Sequence, residues 1–127
     1  MEKRSELIDQ FGIKKKCLDE IKQQTEYKIK YVVEYVREWL YVATNMPNMN
    51  IIFIDSMANA GIYKDGTIGT GPEVLRVFAE FANNHKDKMF YLFINDIDAD
   101  RLDAQMKLLN FFMPNPRPAN IIIEKSQ

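Results

Sequence analysis

The chain has 127 residues, 46% hydrophobic and 28% charged, with a formal net charge of -1, which suits one globular core and excludes two full domains. Acids and bases are interspersed, so no field is available to draw in nucleic acid or an anionic membrane surface. The single cysteine, Cys17, excludes an internal disulfide; together with the lack of a spanning apolar run or a secretory leader in "MEKRSELIDQ", it points to a soluble protein of the reducing cytoplasm.

"SELIDQF" and "CLDEIKQQ" predict a short helix and a lead-in separated by Gly12, with Lys14–Lys16 as a solvated helix face. Residues 26–43, "EYKIKYVVEYVREWLYVA", place Ile29, Val32, Val33, Val36, Trp39 and Leu40 at helical spacing, and Thr25 reads as the N-cap. "MPNMN" breaks that pattern. "IIFI" at 51–54 is apolar on consecutive positions, as in a central strand covered on both faces. After a glycine-bearing loop, Pro72 suits a first helical turn, and Val74, Leu75, Val77, Phe78 and Phe81 carry a core-facing helix to about residue 84. "KMFYLFIND", 88–96, is a second buried strand. A helix over about 99–112 follows, with Leu102, Met106, Leu108, Leu109 and Phe112 inward, until "MPNPRP" removes backbone donors. "NIII", 120–123, is the third strand.

Strands alternating with helices imply a parallel sheet with right-handed crossovers. The expected fold is α/β: a truncated, Rossmann-like, three-layer arrangement with a short parallel sheet of about three strands, preceded by N-terminal helices. Residues 1–45 form a helical segment packing on the sheet, and residues 46–127 form a half-Rossmann cofactor-binding region of the same domain.

In such folds ligands bind beyond the carboxyl ends of the strands. Asp55 and the small-residue segment Ser56–Gly61 stand at the end of the first strand, where a cofactor approaches the backbone closely. Asp96 ends the second strand in "FINDIDADRL", a position from which a carboxylate accepts from both hydroxyls of a ribose. The pair fits an adenosine-containing ligand, and it equally fits an ordinary turn in which the aspartates cap amides. Neither a Walker loop nor G-x-G-x-x-G is present; S-adenosylmethionine suits the looser loop.

Thr25, Lys28, Tyr35 and Trp39, followed by "FIDSMANAGIYKDGTIGTGPEV", resemble in order and spacing the three-Cys-motif partner proteins, a class I methyltransferase-like family of phage and mobile-element neighbourhoods. That family carries a Thr-x-x-Lys helix with a Tyr and a Trp, then Asp-x-Phe-Ala-Gly-x-Gly-x-Tyr, Asp-Gly and Gly-Ser-Pro. The match runs from about residue 24 to about residue 110. Met57 replaces the Phe, Asn59 stands where the first glycine would be, and "GTGP" is one residue longer. The resemblance implies that Asp55, Asn59, Gly61 and Asp96 surround the methionine and ribose portions of S-adenosylmethionine, with Ile97 near the adenine and Met57 also among the cofactor-binding residues. Tyr63 matches the family's Tyr and either stacks on the ligand or packs the loop against the following helix.

A class I methyltransferase has about seven strands, with its acceptor pocket on the fourth and beyond. This chain supplies three, and "NPRP" at 115–118 precedes the third strand and lacks the aromatic of an Asn-Pro-Pro-Tyr motif. The expectation is therefore the cofactor-binding half of a methyltransferase, without catalytic residues and inactive by itself. The alternative is a non-catalytic interaction or dimerisation module on the same scaffold. Without a fourth strand, "IIFI" becomes a hydrophobic edge to be covered by a second copy, a partner protein or the N-terminal helices. His85, Cys17 and the seven methionines read as structural, and Asp98 and Asp100 read as helix-start residues rather than metal ligands.

Overall fold

A computed structural model describes residues 2–127. In chain order the elements are α1 (Glu6–Gln10), a 3-10 turn (Lys15–Cys17), α2 (Gln23–Ala43), β1 (Ile51–Asp55), α3 (Thr70–Ala82), β2 (Phe90–Asn95), α4 (Ala99–Phe112) and β3 (Ile121–Ser126). The strands form one sheet in the order β1-β2-β3, with both neighbouring pairs parallel. The expected alternation of helices and strands is thus present, and with it a Rossmann-like α/β arrangement.

Local chemistry sets the boundaries. Pro72 lies in the first turn of α3, where its missing donor is harmless. Asp98 caps α4: its carboxylate accepts from the amides of Asp100 at 2.8 Å and Arg101 at 3.4 Å. Thr25, expected to cap the long helix, instead lies within it, because α2 begins two residues earlier, at Gln23, with Lys22 in the cap position and no side-chain cap bond.

Strand order decides the layering. Three strands laid down in one direction with right-handed crossovers carry their connecting helices on the same face. Accordingly, Ile51, Phe90, Leu92, Ile94 and Ile121 enter one core with residues of α2, α3 and α4, among them Leu40, Phe78 and Leu109. The alternate residues, Ile52 and Ile54 on β1, Tyr91 and Phe93 on β2 and Ile122 on β3, point to the other side. Ile52 and Ile54 are exposed, and the remaining three are half-buried. Among the described residues the molecule therefore has two layers, which corrects the expected three. The reading of "IIFI" as a central strand covered on both faces is likewise corrected. β1 is an edge strand with one covered face, because a run of four apolar residues cannot by itself tell a two-sided strand from a one-sided one.

The N-terminal segment divides its packing. α2 buries Ile29, Val36, Leu40 and Ala43, and Arg37 on its flank forms a bidentate pair with Glu80 of α3 at 3.0 and 3.2 Å. Trp39, expected in the core, is exposed beside the β1 edge. Leu7, Ile13, Cys17 and Leu18 form a second core with Ala60, Ile62 and Ile68 of the long loop and with Leu108 of α4. Residues 4–18 thus brace the loop after β1, and the Arg4 amide donates to the Gly66 carbonyl at 2.8 Å. Among the described residues no helix is long and apolar enough to cross a membrane.

Candidate functional site

β1 and β2 are parallel neighbours, with Asp55 opposite Ile94, so their carboxyl ends deliver Asp55 and Asp96 to the same end of the sheet. Between them lies the turn 56–61. The Ala58 amide donates to the Asn95 carbonyl at 2.9 Å, and the Asn59 amide donates to Oδ2 of Asp96 at 2.9 Å. The other oxygen of Asp96 accepts from the Asp98 amide at 2.9 Å. Both oxygens of this nearly buried carboxylate are thereby engaged in holding backbone.

Asn59 takes a left-handed conformation, φ 51°, which Asn tolerates better than most residues. Its side chain closes the turn, since Oδ1 accepts from the Gly61 amide at 2.8 Å and Nδ2 donates to the Tyr63 hydroxyl at 3.4 Å. Gly61 has φ 78°, and a Cβ there would come within 2.9 Å of Gln105 Cγ and 3.2 Å of Pro72 Cγ. Only glycine satisfies both the angle and the space. From below, Nε2 of fully buried Gln105 donates to the carbonyls of Ala58 at 2.7 Å and Asn59 at 3.1 Å.

Against the upper side of this turn, a cavity of about 360 Å³ opens between α2 and β1, with Thr25, Lys28, Phe53, Asp55, Asn59 and Tyr63 among its walls. Burial pushes the Asp55 carboxyl up from the ordinary carboxylate range, and the nearby Asp96 charge adds to this; the Met57 amide, 3.3 Å away, and Lys28 work in the opposite direction. Burial also raises the Tyr63 phenol, against the Asn59 hydrogen bond. A half-buried carboxylate, hydroxyls and an apolar wall suit the polar head of a small ligand, and the volume lies within the ~300–1,000 Å³ typical of such sites. A larger groove of about 490 Å³ runs between α2 and the β1 edge, but its walls are aliphatic and aromatic and carry no carboxylate or amine.

The expected site residues separate into two groups. Asp55, Met57, Asn59 and Tyr63 meet at the cavity. Gly61 lies under the turn against Gln105, Asp96 lies behind it, and Ile97, 90% exposed, lies beyond the cavity wall. Sequence reasoning missed Gln105 and Thr70, which reaches the cavity from the start of α3. Gln105 did leave a signal, as a polar residue amid Leu102, Leu108 and Leu109 on the inward face of an amphipathic helix. Among the described residues no group of three or more His, Cys, Asp or Glu side chains is placed to hold a metal.

Comparisons with protein families, with curated proteins and with solved structures find no match to this chain.

Proposed function

We propose that this chain is a cofactor-binding domain that holds S-adenosylmethionine at the carboxyl ends of β1 and β2, as the cofactor-binding half of a methyltransferase-like protein and inactive alone. The observation that carries the reading is the Asp55 carboxylate, half-buried in a cavity that adjoins a backbone turn of small residues. The cavity fits the amino-acid end of the cofactor: Asp55 would accept from its ammonium, and the Tyr63 and Thr25 hydroxyls flank the same space. The adenosine end fits less completely, because Asp96 already accepts two backbone amides; each of its oxygens keeps a further lone pair for a ribose hydroxyl. When bound, the cofactor supplies an electrophilic methyl group, and this chain's residues bind and orient it.

Calorimetric titration with S-adenosylhomocysteine, which keeps the ammonium, carboxylate and adenosine groups, tests the reading. Saturable binding by the wild type that Asp55→Asn weakens about tenfold or more, as expected for loss of a charge-assisted contact, supports it. A folded wild-type chain that takes up no ligand removes it.

A second reading, a non-catalytic interaction module, is favoured by one observation: Ile52 and Ile54 are exposed on a strand whose outer edge is unpaired among the described residues. Unpaired apolar edges are ordinarily covered. If Ile54→Lys changes neither the solubility nor the association of the chain, that reading fails.

A further inference from the structure

We infer that a second copy of this chain covers the β1 edge and the adjoining face of α2, related to the first by a twofold axis through Phe53 and the middle of α2. The inference rests on the interaction reading and names the occupant.

Three features of the surface are self-complementary. First, β1 offers a free edge of alternating amides and carbonyls. Antiparallel pairing centred on Phe53 sets Ile52 beside the partner's Ile54, and Ile54 beside the partner's Ile52, on the open face of a continuous six-stranded sheet. Second, α2 carries a stripe of Gln24, Lys28, Tyr31, Tyr35, Glu38 and Val42, all exposed, at helical spacing; of these, Tyr31 and Tyr35 line the groove beside that edge and Lys28 the turn cavity. Reversed about its midpoint near residue 33, the stripe matches itself: Tyr31 meets the partner's Tyr35, and Lys28 meets the partner's Glu38. Neither Lys28 nor Glu38 has an ion-pair partner among the described residues.

Third, the two midpoints stand at one level. Val32 and Phe53 together line both the apolar groove and the turn cavity. Toward the start of α2, Lys28 shares the turn cavity with Asp55 at the end of β1; farther along, Trp39 shares the groove with Ile52. α2 and β1 thus run antiparallel with residues 32–33 beside Phe53, so a single twofold axis serves strand and helix alike. An isologous contact requires that coincidence.

The exposed surface is also sufficient in size. Tyr31 (67%), Tyr35 (72%), Trp39 (37%), Ile52 (54%) and Ile54 (67%) are accessible. Given the ~150–250 Å² that an aromatic side chain buries, these five leave on the order of 500 Å² per copy. A stable interface needs about 800 Å² per partner, and the strand edge with its flanking charged side chains supplies the rest. Tyrosine and tryptophan are the residues enriched in such contacts.

The test is the solution mass of the full chain by light scattering and sedimentation at about 100 µM, above the micromolar Kd of weak standard-size interfaces. The expected result is a dimer. Ile54→Lys, a change at an exposed position, dissociates it. Lys28→Glu and Glu38→Lys each weaken it by roughly tenfold, because each places like charges opposite one another in both halves. Mixing these two single variants restores a dimer, since each copy then meets opposite charge. Lys28 also rims the turn cavity, so these variants are read by mass and not by ligand uptake. A monomeric wild type overturns the inference and leaves the interaction reading to partners of other sequence. A dimer that survives all three substitutions, or charge variants that do not rescue one another, places the self-contact elsewhere and also overturns it.

Discussion

The Asn59 amide donates to Oδ2 of Asp96 across 2.9 Å, and Oδ1 of the same carboxylate accepts from the Asp98 amide at 2.9 Å. One side chain at the end of β2 therefore fixes both the turn after β1 and the start of α4. Asp96→Ala leaves two sequestered donors without partners, at about 1–3 kcal/mol each. The expected loss is about 2–4 kcal/mol, read as a fall in Tm of roughly 10 °C for a domain of this size. Asp96→Asn keeps one acceptor and turns its amide toward the other donor, so it recovers part of that loss. If Asp96→Ala melts with the wild type, the carboxylate does not hold the turn. Because the turn depends on it, loss of ligand binding in this variant would not by itself place Asp96 against a ribose.

Gln105 and Gly71 form a second coupled pair. A Cβ on Gly71 would lie 2.0 Å from Gln105 Oε1, while Gln105 Nε2 supports the carbonyls of Ala58 and Asn59. Gly71→Ala forces the glutamine off those carbonyls, and Gln105→Ala removes it. Each is expected to cost about 2–3 kcal/mol. Since both lose the same bonds, the double variant is less destabilised than the sum, with a coupling of about 1–2 kcal/mol in denaturant unfolding. Strict additivity would show that the two residues act separately.

These two ties also mark where legibility in the sequence ends. The alternation of elements is readable because each segment carries its own period and its own stop signals: Pro72 inside one helix start, Asp98 capping another, the Pro-rich run 114–118 ending it. The layering is not readable, because the run Ile51–Ile54 is apolar on both faces and only the strand order β1-β2-β3 shows that one face carries no helix. Thr25 and Lys22 compete for a helix start that lacks a side-chain cap, so propensity alone chose wrongly. Trp39 follows the apolar spacing of α2 but falls on the flank beside β1. At the candidate site, the place of Asp55 and of the small-residue segment 56–61 after a strand was legible, and the structure brings Asp55, Met57, Asn59 and Tyr63 to one cavity. Gln105 left only a polar position on the inward face of α4; what it touches was not legible, because its contact spans 46 residues to Asn59, and no local pattern encodes such a distance.

At the opposite end of the sheet, Asn120 holds three carbonyls with one amide group: Nδ2 donates to Ala82 at 3.0 Å, His85 at 3.2 Å and Lys88 at 3.0 Å. These carbonyls end α3 and lead into β2, and the Asn120 carbonyl accepts from the Phe90 amide at 2.8 Å. Asn120→Ala is expected to destabilise by about 2–3 kcal/mol. Asn120→Asp keeps the shape but turns a carboxylate toward three acceptors, so near neutral pH it should be the worse of the two, and it should recover on acidification as the carboxyl becomes a donor. Thermal melts of both variants at two pH values decide this, and Asn120→Asp more stable than Asn120→Ala at neutral pH would contradict the proposed contacts.

Asp55 gives a prediction whose sign differs between stability and binding. Burial, with the Asp96 charge added, raises its folded-state pKa above the unfolded value. Between those two values the folded chain binds more protons than the unfolded chain, so the stability of the wild type falls as pH rises through that window. Above the folded pKa the penalty of the ionised carboxylate is fully present; below the unfolded value it is gone. Asp55→Asn removes the penalty while keeping an acceptor for the Met57 amide, so the variant should melt above the wild type at neutral pH. That advantage should shrink on acidification and vanish below the ordinary aspartate range of about 3.9. A ligand ammonium needs the ionised form, so affinity for S-adenosylhomocysteine should be greatest at the pH where Asp55 lowers stability most, and should fall as the carboxyl protonates. Higher Tm with lost affinity in Asp55→Asn identifies a carboxylate kept for binding at the expense of stability. Higher Tm with unchanged affinity makes Asp55 a turn residue and removes the principal contact from the proposed site.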